Sequence, residues 1–387
     1  MRVCHVITRL IVGGAQENTI SSVLGLQQKP GVMVELLSGP TFGSEGSLEG
    51  LVRPVPDLLH VIPHLVRPVH PVNDWRAVHE LTQHFQKHRP KIVHTHSGKA
   101  GILGRLAAQR ARVPVIVHSI HGPSFGPFQG KLANLLFTAA ERYAGGLTHH
   151  FIVVANAMRD QYLHAGIGRP EQYTRIFSGF DLGPFQSARR DPKLAAELGL
   201  ASTDFVVGKI ARLFELKGHD DFFTIGGDLL RRIPNIKLLF VGDGPWRRKF
   251  ETLAATGPLR GRVVFTGLVP PSEVHRYVGL MDTLVHLSRR EGLPRAIPQA
   301  LAAAKPVVAY DCDGASEVCL NGETGYLIHL GDHDSLIKRL RMLADAPELR
   351  EQLGQAGRAF VSERFTIKRL VDEQYELYQR LSNTPDS

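Results

Sequence analysis

The strongest constraint on this chain is a pattern that occurs twice: short β-branched or aromatic runs alternate with longer stretches of helical periodicity. The first series opens with VCHVIT, a glycine-bearing loop through Arg9–Gly14 and a helical pattern from Gln16 to about Gln28. It continues with strand-like runs at 32–37, 92–96, 115–119 and 151–154. The second series starts afresh at 205–210 and repeats at 237–241, 263–266, 283–286 and 306–309. Strands spaced by helices need crossover connections, and crossovers build parallel sheets covered on both faces. The pattern predicts an α/β fold of two Rossmann-like doubly wound domains facing a central cleft.

Between the two series lies FSGFDLGPFQSARRDPKLAAELGLASTD, rich in Gly, Pro, Ser and charge. The expected division is a first domain at 1–183, a hinge at 184–204, a second domain at 205–364 and a terminal helix at 365–387. That helix, within FTIKRLVDEQYELYQRL, places Ile367, Leu370, Val371, Tyr378 and Leu381 on one stripe, which is expected to cross back onto the first domain. A chain of 387 residues is long enough for two cores. Hydrophobic residues at 43% and charged ones at 21% exclude disordered, collagenous and coiled-coil classes.

No window supplies the roughly 18 uninterrupted apolar residues of a spanning helix. Arg2, His5 and Arg9 interrupt the segment where a signal peptide needs an apolar run, so a cytoplasmic protein is expected. Cys4, Cys312 and Cys319 are too few and too scattered for a disulfide framework or a CxxC-type zinc site, and read as buried reduced thiols. Positive charge is unevenly spread. Residues 1–185 carry 18 Lys and Arg against 11 Asp and Glu, and 14 of the 19 His. Such a half suits an anionic partner. A nucleic acid is not expected, because there is no dense Lys/Arg run, zinc-finger spacing or RNP-like motif.

The segments that can carry chemistry fall at strand ends. Gly13 and Gly14 close the first strand-to-helix loop, where helix amides can hold an anion, yet VGGAQ is not the GxGxxG of a nicotinamide site. In the second half, VVGKIARLFELKG sets Arg212 just past a strand and Lys217 directly before Gly218, an Arg fork and a Lys point charge of the kind a diphosphate needs. In HLSRREGLPRAIPQALAAAKP, Glu291 precedes a helix expected from Pro294 to about Ala304. Amides near Leu293 and Arg295 would face a phosphate, Glu291 would accept hydrogen bonds from sugar hydroxyls, and Gln299 lies within the helix. His121 follows the strand-like VPVIVHS and precedes the glycine- and proline-rich GPSFGPFQG. His94 and His96 form an HxH pair with no third ligand nearby in sequence, so no metal site is expected. No GxSxG elbow or P-loop is present.

Taken in order, VITRLIVGGAQ, HTHSGKAGILGRLAA, HSIHG, GKIARLFELKG, FVGDGP, VVFTGLV and SRREGLP resemble the retaining, nucleotide-sugar-dependent glycosyltransferases of family 4, which share the GT-B fold. The resemblance spans nearly the whole chain. It implies that His121 lies beside the reacting sugar with Glu291, that Arg212 and Lys217 grip the donor diphosphate, and that Leu268 and Val269 touch the base. The family places a second Glu eight positions after the first, on the donor ribose; this chain has Gln299 there, which implies retuned donor affinity rather than lost chemistry.

The implied donor is a nucleoside diphosphate sugar, with no cofactor and no obligatory metal. The implied acceptor is a glycan or a lipid-linked molecule of the cell envelope, reached at an anionic membrane surface. A sugar-nucleotide epimerase or hydrolase on the same fold, a non-catalytic sugar-nucleotide-binding protein and a basic adaptor remain open.

Overall fold

The computed structural model describes residues 1–42, 46–96, 98–126 and 129–383. Ser97 of HTHSG, Pro127 and Phe128 of the loop after His121, and the last four residues of the expected terminal segment lie outside them. The chain divides into two compact units, Met1–Phe180 with Ile367–Ser387, and Asp181–Thr366.

The first unit holds a seven-stranded parallel sheet. Its strands are β1 (Arg2–Ile7), β2 (Met33–Ser38), β3 (Leu59–Val61), β4 (Ile92–His96), β5 (Val115–Ile120), β6 (His150–Val153) and β7 (Tyr173–Arg175). They run in the order β3-β2-β1-β4-β5-β6-β7. The second unit holds β8 (Phe205–Ile210), β9 (Ile236–Val241), β10 (Val263–Phe265), β11 (Thr283–His286), β12 (Val307–Tyr310) and β13 (Gly325–Ile328), in the order β10-β9-β8-β11-β12-β13. Both are doubly wound α/β sheets, the expected class. The strands β3, β7 and β13 are absent from the sequence reading. All three are outermost in their sheets and only three or four residues long, so they carry too few apolar positions to stand out.

Each sheet is covered on both faces. In the first, alternation along β1 sends Val3 and Ile7 to one core and Cys4 and Val6 to another. The terminal helix Ile367–Asn383 belongs to the first of these cores through Leu370, Val371, Leu377 and Tyr378. It packs on the helix Gly14–Gln27, where a Cβ at Gly25 would lie 2.3 Å from Val371 Cγ2. Only a glycine allows the two backbones that close, and Lys29 pairs with Asp372 at 2.5 Å beside them.

The segment expected to be a hinge at 184–204 contains the short helices Gly183–Gln186 and Pro192–Glu197 and clusters with the second unit. Its Gly, Pro and charge mark tight turns and caps, including Asp191 accepting from the Lys193 and Leu194 amides, while Phe185, Leu194 and Leu200 are buried.

Candidate functional site

Strand order reverses about β8 and β11 in the second unit. Open α/β sheets take ligands at the carboxyl ends of strands beside such a reversal. Arg212 is exposed just past β8, its guanidinium 5.9 Å from the Phe214 ring centre. A 3-10 turn, Glu215–Lys217, then brings Lys217 back toward the sheet and ends on Gly218 at φ +65°. A Cβ at Gly218 would meet the Leu287 carbonyl oxygen at 2.1 Å, so both conformation and space call for glycine.

Lys217 Nζ donates to Glu291 Oε1 at 2.6 Å, and His286 Nε2, at the end of β11, lies 3.4 Å from the same oxygen. The Glu291 amide donates to Asp313 Oδ2 at 2.7 Å. Asp313 itself sits at φ +50°, a conformation that costs energy in a non-glycine residue and is held by its surroundings. Burial alone would raise the Glu291 pKa. The His286 ring and the Lys217 charge outweigh it and hold the carboxyl well below the usual range, so it is ionised. Behind it, Lys209 on β8 is 1% exposed and its ammonium has no hydrogen-bond partner among the described residues. Burial and then the Lys217 charge lower its pKa to about 7 against the pull of Asp221 and Glu291.

The helix after Glu291 is shorter than expected, Ala296–Ala302 rather than 294–304. Arg295 forms its N-cap, so Pro294 lies ahead of the helix and not in its first turn, and the helix stops because Ala304 turns to φ +54° while the Lys305 amide returns to the Ala300 carbonyl. Leu293 is buried and Arg295 half-buried ahead of the first turn, and Gln299 is half-buried within it. Past β10, Leu268 is 74% exposed beside half-buried Val269, an apolar surface that suits a planar base. Sequence reasoning assigned no role to His286, Asp313 or Lys209. Their only signal was position, each lying on or just after a strand of the second series.

In the first unit the reversal falls about β1 and β4. Gly14 is exposed at the first turn of its helix, whose N-cap Gly13 offers no side chain. His121, directly after β5, lies on a chain of rings. His121 Nε2 meets His96 Nδ1 at 3.0 Å, His96 Nε2 meets His5 Nδ1 at 2.9 Å, and His5 Nε2 lies 3.4 Å from the Tyr378 hydroxyl. That hydroxyl also meets His94 Nδ1 at 2.5 Å, and His94 Nε2 meets Ser119 Oγ at 2.7 Å.

The sheet therefore supplies the third imidazole that the HxH pair lacked in sequence, because His5 and His94 are register partners across β1 and β4. The set contains no carboxylate to offset an ion's charge, and each ring nitrogen within it already has a polar neighbour. It reads as a hydrogen-bond chain that fixes the His121 ring, since each neutral imidazole donates at one nitrogen and accepts at the other.

Burial lowers the His121 pKa to about 4 and that of His5 to about 3, and pushes His94 and His96 well below 6.5. Between about pH 4 and 6.5 the unfolded chain therefore binds more protons than the folded one, and stability falls as pH drops through that window. Urea midpoints measured from pH 7 down to 4.5 are expected to decrease steadily; a flat profile would contradict buried neutral histidines.

Two doubly wound α/β units, one with Arg212, Lys217 and Glu291 just past its strand ends, are the class of fold that takes ligands at strand ends. Known proteins narrow it. The family model described as "Glycosyl transferases group 1" matches residues 191–360, and "Glycosyl transferase 4-like domain" matches 14–178. A relative named "Putative glycosyltransferase EpsD" from Bacillus subtilis (strain 168) is 30% identical over 74% of this chain and 76% of its own. The Escherichia coli UDP-Gal:alpha-D-GlcNAc-diphosphoundecaprenol alpha-1,3-galactosyltransferase is 29% identical over 82% of each chain. Among solved structures, Anabaena HepE in complex with UDP-glucose covers 98% of this chain and 100% of its own, with a TM-score of 0.80 at 22% identity, which bears on the fold. The chain belongs to the family 4 type glycosyltransferases of GT-B fold.

Proposed function

We propose that this glycosyltransferase moves a sugar from a nucleoside diphosphate sugar to a glycan or lipid-linked acceptor of the cell envelope, with retention at the anomeric carbon and without an obligatory metal. The Lys217–Glu291 pair, with Arg212 on the same segment just past β8, carries this reading. A diphosphate entering there competes with Glu291 for the Lys217 ammonium. Lys217 and Arg212 then offset the charge that develops as the diphosphate departs, helped by amides near Leu293 and Arg295. The freed Glu291 accepts hydrogen bonds from sugar hydroxyls, Leu268 and Val269 cover the base, and Gln299 meets the ribose. His121, its ring fixed by His96, hydrogen-bonds near the reacting sugar, and Gly14 leaves room for phosphate or acceptor. The cations present are sufficient in kind to replace a metal, which supports the metal-free reading. The Escherichia coli relative, whose name specifies a UDP-linked galactose and a diphosphoundecaprenol acceptor, supports the substrate classes.

The test is nucleoside diphosphate release from UDP-, GDP- and ADP-sugars, with and without a lipid or glycan acceptor, beside Glu291→Ala. Release that acceptor stimulates and the variant lacks supports transfer, and the anomeric configuration of the product decides retention. Equal release without acceptor would indicate a hydrolase, and binding without release under any condition a non-catalytic protein. Among the described residues no helix is long and apolar enough to cross a membrane. The positive half supports a peripheral site on anionic lipid at the inner membrane face, which failure to sediment with anionic liposomes at low salt would exclude.

Gln299→Glu is expected to tighten donor binding about fivefold, since a hydrogen bond to a charged acceptor exceeds a neutral one by roughly 1 kcal/mol. Calorimetric titration with the donor that the release assay identifies checks this.

A further inference from the structure

A second cluster lies on the other face of the first sheet, away from the His5–His121 chain. Cys4 on β1 and Glu35 on β2 are register partners, and both point to the side covered by the helix Pro71–His88. His84 and His88 stand four residues apart on that helix, so they share one face, and their rings stack with centres 4.0 Å apart. The other three side chains converge on the Glu35 carboxylate. His84 Nε2 lies 2.7 Å from Glu35 Oε2, His88 Nδ1 2.8 Å from Oε1, and Cys4 Sγ donates to Oε2 at 3.2 Å.

We propose that Cys4, Glu35, His84 and His88 form a structural site for a borderline divalent cation of the zinc type. The donor set of one sulfur, two imidazole nitrogens and one carboxylate suits such an ion. A thiolate and a carboxylate cancel its two charges, so the filled centre is neutral and compatible with burial; the His5, His94 and His96 set has no such anion. Metal–ligand bonds of about 2.0–2.3 Å in a tetrahedron separate ligand atoms by about 3.3–3.6 Å. The donor atoms of Cys4, Glu35 and His84 lie within 4.8 Å of one another, and His88, which meets the other Glu35 oxygen, joins them by turning out of its stack on His84.

Access is through the rim, where the His84 and His88 side chains are 13% and 23% exposed. The incoming ion displaces the thiol proton of Cys4, which burial and the neighbouring Glu35 charge otherwise retain, and that proton leaves to solvent; His84 Nε2 and His88 Nδ1, which donate to Glu35 without the ion, become ligands as each ring carries its hydrogen on the other nitrogen instead. Arg2 Nε lies 3.9 Å from Glu35 Oε1, but its guanidinium is anchored on the His88 carbonyl oxygen, beside the ligand atoms rather than among them. His60 packs against both histidine rings at 4.9 and 5.9 Å. The filled site would tie the helix to β1 and β2 without touching the residues assigned to sugar transfer.

The experiment is titration of chelator-treated full-length protein with Co²⁺, followed by displacement with Zn²⁺. One Co²⁺ per chain is expected, with a near-ultraviolet thiolate-to-cobalt charge-transfer band that Cys4→Ser abolishes and Cys312→Ser with Cys319→Ser retains. His84→Ala and His88→Ala, whose partly exposed side chains keep the fold at least risk, are each expected to weaken Zn²⁺ about 100-fold or more, because even groups outside the ligand set cost 10–100-fold. Circular dichroism verifies folding of every variant. Absence of stoichiometric binding, cobalt bound without a thiolate band, or a band that survives Cys4→Ser would each overturn the proposal.

Discussion

Lys217→Met is expected to lower kcat/KM for the sugar donor by about 100- to 1,000-fold, the range seen when one preorganised donor to a developing negative charge is removed. Lys217 is the partner of Glu291 at 2.6 Å, and under the proposed function it turns to the diphosphate when donor binds. If its main contribution is to the departing group, kcat falls more than KM rises, because only interactions stronger in the transition state speed the chemical step. A rise in KM at constant kcat would show instead that Lys217 grips substrate and transition state equally. Lys217→Arg is not expected to restore the rate, since a planar fork cannot occupy the place of a compact ammonium against Glu291. Glu291→Gln should lose a comparable amount, and the double variant less than the product of the two, as residues in one charge pair are not independent. Steady-state kinetics of the unmodified protein and these four variants with one donor decide all of these points. Losing Lys217 also removes a charge that depresses Lys209, so the Lys209 pKa is expected to rise.

The two sheets were legible because buried parallel strands are written as compact apolar runs, as in VIV of β5 or LLFV of β9. The strands β3, β7 and β13 were not, because runs such as LHV and YTR are too short for periodicity to speak, whereas the equally short outermost β10 stood out because VVF is wholly apolar. Arg212, Lys217 and Glu291 could be picked out because each carries charge on a segment that follows a strand end, Lys217 and Glu291 directly before a glycine. His286, Asp313 and Lys209 were missed for complementary reasons. His286 and Lys209 sit inside strands, where a polar side chain reads as an interruption of the apolar run, and the role of Asp313 depends on a backbone turn that only the fold reveals. The ring chain from His121 to Tyr378 joins residues far apart in sequence, so it exists only once β1, β4, β5 and the terminal helix are assembled. The Cys4 cluster has the same origin. Its one local signal, histidines four apart on a helix, is common on solvated surfaces and says nothing until strands supply the other two ligands.

A buried ion pair in the first unit was equally invisible, and Glu141→Ala is expected to destabilise that unit by about 3–5 kcal/mol, the cost of leaving a buried partner unpaired. Arg105, on the helix Gly98–Arg110, and Glu141, on the helix Lys131–Gly145, both have fully buried side chains. The guanidinium donates from Nη2 to Glu141 Oε2 at 2.6 Å, from Nε to the Gly101 carbonyl oxygen at 2.7 Å and from Nη1 to Thr148 Oγ1 at 3.3 Å. Removing the carboxylate leaves a cation out of water with two neutral acceptors. Burial and then the Arg105 charge hold the nearby His118 well below its usual range. Arg105→Leu combined with Glu141→Leu should recover much of the loss, because it removes both desolvation costs together. Guanidinium denaturation midpoints, with hydrogen exchange followed in peptides of these two helices, separate the outcomes. Unchanged exchange there in Glu141→Ala would mean that solvent reaches Arg105 when its partner is gone, and that the pair contributes little to holding the helices together.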